Sequence, residues 1–241
     1  MNAVKDIDYD SIRKTTAEII AGSRQICRLI SEGENGRIAG GIRNVEASCV
    51  IGTEKDTDLS DTSEQQSLIQ ENLLENYAKN EGIWFEYSEI KTVWNRIDIK
   101  QSTEAEIYED ENQAYIRKVF YYLNSDTPLE FLDNRISLHN ALFPETKYEL
   151  IGFTKSIKGF AFILKQLFII GRETTKEDNL DSFMLRMGFE KTGFNCFQNG
   201  IIEIADLHGG NVLKGIDGNF YFIDTIPRLL DNDIYTNFII R

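Results

Sequence analysis

The chain has 241 residues, of which 41% are hydrophobic and 27% charged, an ordinary globular composition for one domain of moderate size. A formal net charge of −13 and the lack of any Lys/Arg run argue against a protein that tracks a nucleic-acid backbone, because that binding is driven by Lys and Arg displacing counterions. No window approaches the roughly 18 apolar residues of a membrane span, Met1 to Tyr9 is too polar for a signal peptide, and Cys27, Cys49 and Cys196 form no CxxC pair, so a cytoplasmic setting is expected with neither a disulfide framework nor a zinc site.

In chain order, Asp10 to Ile30 reads as a helix, with Ile12, Ile19, Ile20, Cys27 and Ile30 on one face. Gly33, Gly36, Gly40 and Gly41 follow; without a Gly-Lys-Ser/Thr ending they form a connector rather than a phosphate loop. Val45 to Gly52 is a short apolar element, and the acidic stretch Thr53 to Ser63 reads as a solvated loop. Gln65 to Asn80 is predicted helical, with Ile69, Leu73, Leu74 and Tyr77 buried and Gly82 as its stop.

The period then changes. Ile83 to Phe85, Val93-Trp94, Ile97 to Ile99, Glu106 to Tyr108, and Ala114 to Ile116 with Val119 to Tyr121 read as strands. Thr127-Pro128 opens a helix whose buried face carries Leu129, Leu132, Ile136 and Leu142, and Pro144 closes it. Tyr148 to Phe153 and Phe160 to Ile170 are strands joined at Lys158-Gly159. Thr174 and Glu177 suggest a capping box for a helix with Leu180, Phe183, Met184 and Met187 on its apolar stripe, stopped by Gly188. Two hairpins follow, one through Asn199-Gly200 and one from Val212 to Ile223. The order of elements is that of an α+β fold with a mainly antiparallel sheet.

Chemistry concentrates in Ile204 to Leu213 and Phe222 to Thr225. Asp206 and Asn211 stand five positions apart, and Asp224 follows thirteen later. Phosphoryl transfer requires a carboxylate to orient an attacking hydroxyl and hard oxygen ligands for magnesium. A hairpin with Asn211 before its first strand and Asp224 after its second places those two at one edge. Turn chemistry alone would also favour Asp and Asn here. Asp217-Gly218 reads as a plain turn.

Asp206-Leu207-His208-Gly209-Gly210-Asn211 resembles the catalytic loop of the protein-kinase-like superfamily, in the Asp-Leu-His form of aminoglycoside and choline kinases, and Ile223-Asp224-Thr225 is similar to its metal-binding element. Leu129 to Asp133, Leu138 to Asn140, Leu142 to Thr146, Tyr148 to Phe153, Asn44 to Ser48 and Tyr77 to Trp84 resemble the kinase-like domain of phage-type polyvalent proteins, known mainly from phages and conjugative elements; the likeness runs from about Ile38 to Ile226. It implies a two-lobed kinase-like fold: a helical segment over 1–82, a β-rich N-lobe with hinge over 83–170, and a reduced C-lobe over 171–241. It implies ATP and magnesium as cofactors, Asp206 as catalytic base, and Asn211 and Asp224 as magnesium ligands. Lys118 would contact the nucleotide phosphates, with Arg117 as the alternative one register away. Glu130 would fix Lys118, with Asp133 second. The backbone near Gln166 and Leu167 would bind adenine, and His208 would position a phosphate or Asp206 or pin the loop. His139 is expected to be structural.

Departures from the superfamily pattern shape the expected function. Lys100 to Glu106 has no glycine lid, Ile204-Ala205 replaces His-Arg before Asp206, Thr225-Ile226 replaces Phe-Gly after Asp224, and seventeen residues follow Asp224, too few for a complete substrate platform. Two functions are consistent with this: an ATP- and magnesium-dependent phosphotransferase with an unspecified small-molecule or protein acceptor, or a pseudokinase that binds nucleotide or partners without turnover. Neither a nucleic-acid nor a membrane partner is expected.

Overall fold

The computed structural model describes residues 59–97, 104–123 and 125–230. The expected helix at Asp10 to Ile30, the glycine cluster and Val45 to Gly52 lie outside them. The described residues gather into two compact units that divide between Ile170 and Gly171.

The first unit is a five-stranded antiparallel sheet with helices on both faces. Helix α1 spans Leu59–Asn80 and α2 spans Tyr87–Val93. Strands β1 (Arg96–Ile97), β2 (Ala105–Glu109), β3 (Tyr115–Tyr121), β4 (Tyr148–Ser156) and β5 (Gly159–Leu167) lie in the order β1-β2-β3-β5-β4. Between β3 and β4 runs a helix, α3, over 128–142, composed of an α-helical turn Pro128–Glu130, a π-helical stretch Phe131–Leu138 and a final turn His139–Leu142.

Alternation along the strands sorts the core into two layers. Ile107, Phe120, Phe153, Phe160, Phe162 and Leu164 face α3 (Leu129, Phe131, Leu132, Ile136) and α1 (Leu74, Ala78). Tyr108, Val119, Tyr121, Ala161 and Ile163 face the other way, against Ile90 of α2 and the rings of Phe85 and Trp94. A register shift between Leu150 and Gly152 puts Ile151 on the second layer and returns Phe153 to the first. Gly152 is required there: a Cβ would collide with the Ile83 carbonyl and the Phe85 ring, because 83–85 runs against β4 through Phe85 N–H to Phe153 O (2.9 Å) and Phe153 N–H to Ile83 O (3.0 Å).

Several expectations are corrected. Leu59 to Ser63 is helical, extending α1 into the expected loop. Ile83 to Phe85 is no strand; only Trp84 bridges Phe153. Val93-Trp94 ends α2 rather than forming a strand. The described part of the expected helical segment packs into this sheet unit: α1 buries Leu74 and Ala78 against it, and Gln70 Oε1 accepts the N–H of Leu129 at the start of α3 (3.1 Å).

The second unit holds β6 (Gly171–Glu173), a 3-10 turn Lys176–Asp178, α4 (Leu180–Arg186), β7 (Glu190–Gly193), β8 (Cys196–Gln198), β9 (Ile202–Ala205), β10 (Val212–Gly215), β11 (Phe220–Phe222) and β12 (Ile226–Leu229). They form two sheets, β11-β10-β6 and β12-β9-β8-β7. Both hairpins stand where expected. The capping box belongs to Thr175 and Asp178, one residue beyond the expected pair, and Asn179 at φ 60° separates it from α4. Met184 is buried, while Met187 is 39% exposed. Among the described residues no helix is long and apolar enough to cross a membrane.

Candidate active site

In the second unit, two ladders end together. Ala205, the last residue of β9, pairs with Ile226, the first of β12, and Val212, the first of β10, pairs with Phe222, the last of β11. Residues 206–211 and 223–225 are therefore the connections at one shared end. Ile223 N–H donates to Asn211 O (2.9 Å), carrying the β10–β11 ladder one step outward and bringing Asp224 level with the loop. Topology thus brings the backbone positions of Asp206, Asn211 and Asp224 to one end of the two ladders.

Asp206 adopts φ 63°, a left-handed conformation that Asp tolerates better than most residues and that turns the chain sharply out of β9. Asn211 Nδ2 donates to the Asp206 carbonyl (3.0 Å) and to Oδ2 of its carboxylate (2.7 Å). Both partners are acceptors, so the nitrogen of that amide is fixed toward Asp206 and Oδ1 is turned away from it. His208 N–H donates to Asp206 O (3.0 Å), and Asn211 N–H and Val212 N–H both donate to His208 O (2.9 and 3.0 Å). The His208 ring accepts Gly210 N–H at Nδ1 (3.0 Å) and places Nε2 at 3.6 Å from Asp206 Oδ1.

The two glycines are more than an ordinary turn. A Cβ on Gly209 would lie 2.5 Å from the Thr174 carbonyl, so only glycine allows the loop to approach the chain leaving β6. On the other side, Leu207 N–H is held by the Asn195 carbonyl (3.0 Å) in the β7–β8 turn. Thr174 and Asn195 thus brace the loop, and neither is marked by the motif; the glycine pair was the available sign of a close backbone approach. Asp224 and Asn211 are half-buried, and the Asp206 side chain is 44% exposed, an accessible carboxylate. Among the described residues no group of three or more His, Cys, Asp or Glu is placed to hold a metal ion. Asn211 Oδ1 and the Asp224 carboxylate are hard oxygen donors of the kind magnesium accepts when phosphate and water complete its shell.

The remaining candidates lie in the first unit. Lys118 is 3% exposed, on the core side of β3, with Nζ 5.2 Å from the centre of the Tyr148 ring. Arg117 points to the opposite face, stacks on Trp94 (4.7 Å) and donates Nε–H to Asp110 Oδ2 (2.7 Å). Asp133 is 2% exposed on α3, between the core positions Leu129 and Ile136. Glu130 makes local contacts at the start of α3. Its N–H donates to Thr127 Oγ1 (3.2 Å) and its carboxylate accepts Asp126 N–H (2.8 Å), a capping arrangement at the start of α3.

Gln166 is held within the sheet. Its side chain is buried and donates to the Thr146 carbonyl (2.7 Å). Phe168 N–H bonds Ala114 O (2.8 Å), so by the antiparallel alternation Gln166 exchanges its backbone bonds with Ile116 and has none left for a base. The same alternation turns the backbone of Leu167 to the opposite edge, away from β3. His139 is fully buried, with Nε2 at 3.2 Å from Thr146 O.

The model of a protein family described as serine/threonine/tyrosine kinase found in polyvalent proteins matches residues 67–231, well over half of the chain. No curated protein and no solved structure matches the chain.

Proposed function

The chain belongs to the serine/threonine/tyrosine kinases found in polyvalent proteins, and from that premise we propose that it transfers the γ-phosphoryl group of ATP, with magnesium, to a hydroxyl acceptor. The observation that carries this reading is the Asp206–Asn211 pair, 2.7 Å apart, at the strand ends where Asp224 also arrives. Asp206 accepts the proton of the acceptor hydroxyl. That oxygen bonds to the γ-phosphorus, the bond to the β–γ bridging oxygen breaks, and ADP leaves with the electron pair. Asn211 anchors the Asp206 carboxylate through Nδ2, and its Oδ1 together with Asp224 would hold magnesium. When bound, that ion supplies charge neutralisation at the phosphate oxygens.

In this reading the sheet unit is the N-lobe and the unit after Ile170 belongs to the C-lobe. Lys118 holds the nucleotide phosphates. Glu130, or the buried Asp133 on the same helix, is its fixing carboxylate. The acceptor is a small molecule or a protein, and the setting is the cytoplasm of a cell carrying a phage or conjugative element.

The test is ATP turnover and magnesium-dependent nucleotide binding in the parent chain and in Asp206→Asn. Loss of the base lowers turnover by about 10²- to 10⁴-fold and leaves nucleotide affinity within a few-fold. No nucleotide binding at millimolar ATP sinks the proposal. A second reading, a nucleotide-binding interaction module without turnover, is favoured by one observation: Lys100 to Glu106 carries no glycine lid. Binding without any turnover selects it.

A further inference from the structure

We propose that His208 is a positioning residue for Asp206, locked in one tautomer by the loop that carries both; this rests on the phosphotransfer reading above. The argument begins at Gly210. Its N–H donates to His208 Nδ1 at 3.0 Å, so Nδ1 presents a lone pair and the ring proton resides on Nε2. The opposite tautomer would set two N–H groups against each other.

Gly210 also packs closely on the ring: a Cβ there would sit 3.0 Å from His208 Cε1 and 3.2 Å from Nδ1, so the ring would have to give by a few tenths of an ångström. The backbone thus selects the tautomer, and the tautomer decides what faces the carboxylate. Nε2 lies 3.6 Å from Asp206 Oδ1, just outside hydrogen-bond reach. With its proton on Nε2 the ring offers a donor to that oxygen rather than a repelling lone pair. Oδ2 is already held by Asn211 Nδ2 at 2.7 Å.

The two contacts address the two oxygens of one carboxylate from opposite ends of the same loop and fix the plane in which it meets an acceptor hydroxyl. A closing movement of about half an ångström on substrate binding makes the Nε2–H···Oδ1 bond, as catalytic hydrogen bonds often tighten in the complex. His208 does not touch the reacting atoms; it acts through Asp206.

Two amide variants separate its two contacts, because asparagine reaches where Nδ1 stands and glutamine reaches where Nε2 stands. His208→Asn keeps an acceptor for Gly210 N–H and loses the donor toward Asp206. His208→Gln does the reverse. The expected result is a drop in kcat of roughly tenfold or more for His208→Asn, with KM for ATP unchanged and the melting temperature close to the parent. His208→Gln retains kcat within about threefold while melting lower. Equal kcat in His208→Asn and the parent overturns the proposal.

A readout independent of turnover separates this failure from failure of the phosphotransfer reading. Long-range proton–nitrogen spectra of the labelled full chain should show His208 protonated at Nε2 and bare at Nδ1, with the Nε2 resonance moving in Asp206→Asn. A proton on Nδ1, or an Nε2 resonance indifferent to Asp206→Asn, overturns the assignment even in a chain without measurable turnover.

Discussion

Thr154 lies in β4 opposite Ala161, fully buried, and its hydroxyl has no hydrogen-bond partner among the described residues. An unmet buried hydroxyl costs about 1–3 kcal/mol, and a valine has almost the same shape without it. Thr154→Val is therefore expected to stabilise the chain by about 1 kcal/mol, read as a higher midpoint in urea with an unchanged slope. A lower midpoint would show that the hydroxyl holds an ordered water. Single residues differ in how far the sequence exposes them. That Asn211 and Asp224 flank one end of a hairpin was legible because the hairpin fixes their spacing. The inward choice of Lys118 over Arg117 was not, since alternation names two faces without saying which one is core. The local contacts of Glu130 were legible too, since Thr127-Pro128-Leu129-Glu130 is itself a capping-box pattern.

Elements with a strong apolar period were readable, and those held by polar contacts were not. Helix α1, strand β3 and the two hairpins carry their pattern in the sequence. Helix α2 has seven residues and one buried position, Ile90, so no period exists to detect, and β6 and β7 are exposed along their whole length. What fastens α2 is a polar cluster. Its Tyr87 hydroxyl donates to both oxygens of the buried Glu106 carboxylate (3.0 and 2.8 Å), joined by Tyr108 (2.8 Å), Tyr121 (3.2 Å) and Lys158 Nζ (3.1 Å). Burial alone would raise the Glu106 pKa, but the hydrogen bonds of Tyr87, Tyr108 and Lys158 outweigh it and hold the carboxyl below its ordinary value. Burial beside that anion in turn pushes the Tyr87 and Tyr108 hydroxyls up, so both stay protonated donors. A depressed folded pKa contributes stability that is complete above the ordinary glutamate value of about 4.3 and is lost as pH falls through the folded value. Urea midpoints measured from pH 6 down to pH 3 should fall in that window for the parent, and the fall should be shallower in Glu106→Gln. Parallel curves would show that other carboxylates govern the acid limb.

At the scale of the whole molecule the dominant quantity is charge. Lys and Arg number 26 against 39 Asp and Glu, leaving −13. That imbalance carries no information about the fold, which is why it bears on the partners to expect and yet could not reveal that α1 is built into the sheet unit; packing decides the latter through Leu74, Ala78 and Gln70. Its consequence lies in association kinetics. ATP is an anion, and an acidic protein repels it at distances beyond any contact. At about 0.01 M salt the Debye length is roughly 30 Å, so ATP meets the field of the whole chain; at about 0.15 M it is roughly 8 Å, and only groups near the site are felt. On the phosphotransfer proposal, the association rate for ATP, measured by stopped-flow fluorescence, should therefore rise between those two salt concentrations, by about twofold to tenfold, while the dissociation rate changes little. A protein that captured phosphates through a broad basic surface would do the opposite. If the rate falls with salt, a local positive field outweighs the net charge, and the expectation drawn from −13 is wrong for this ligand.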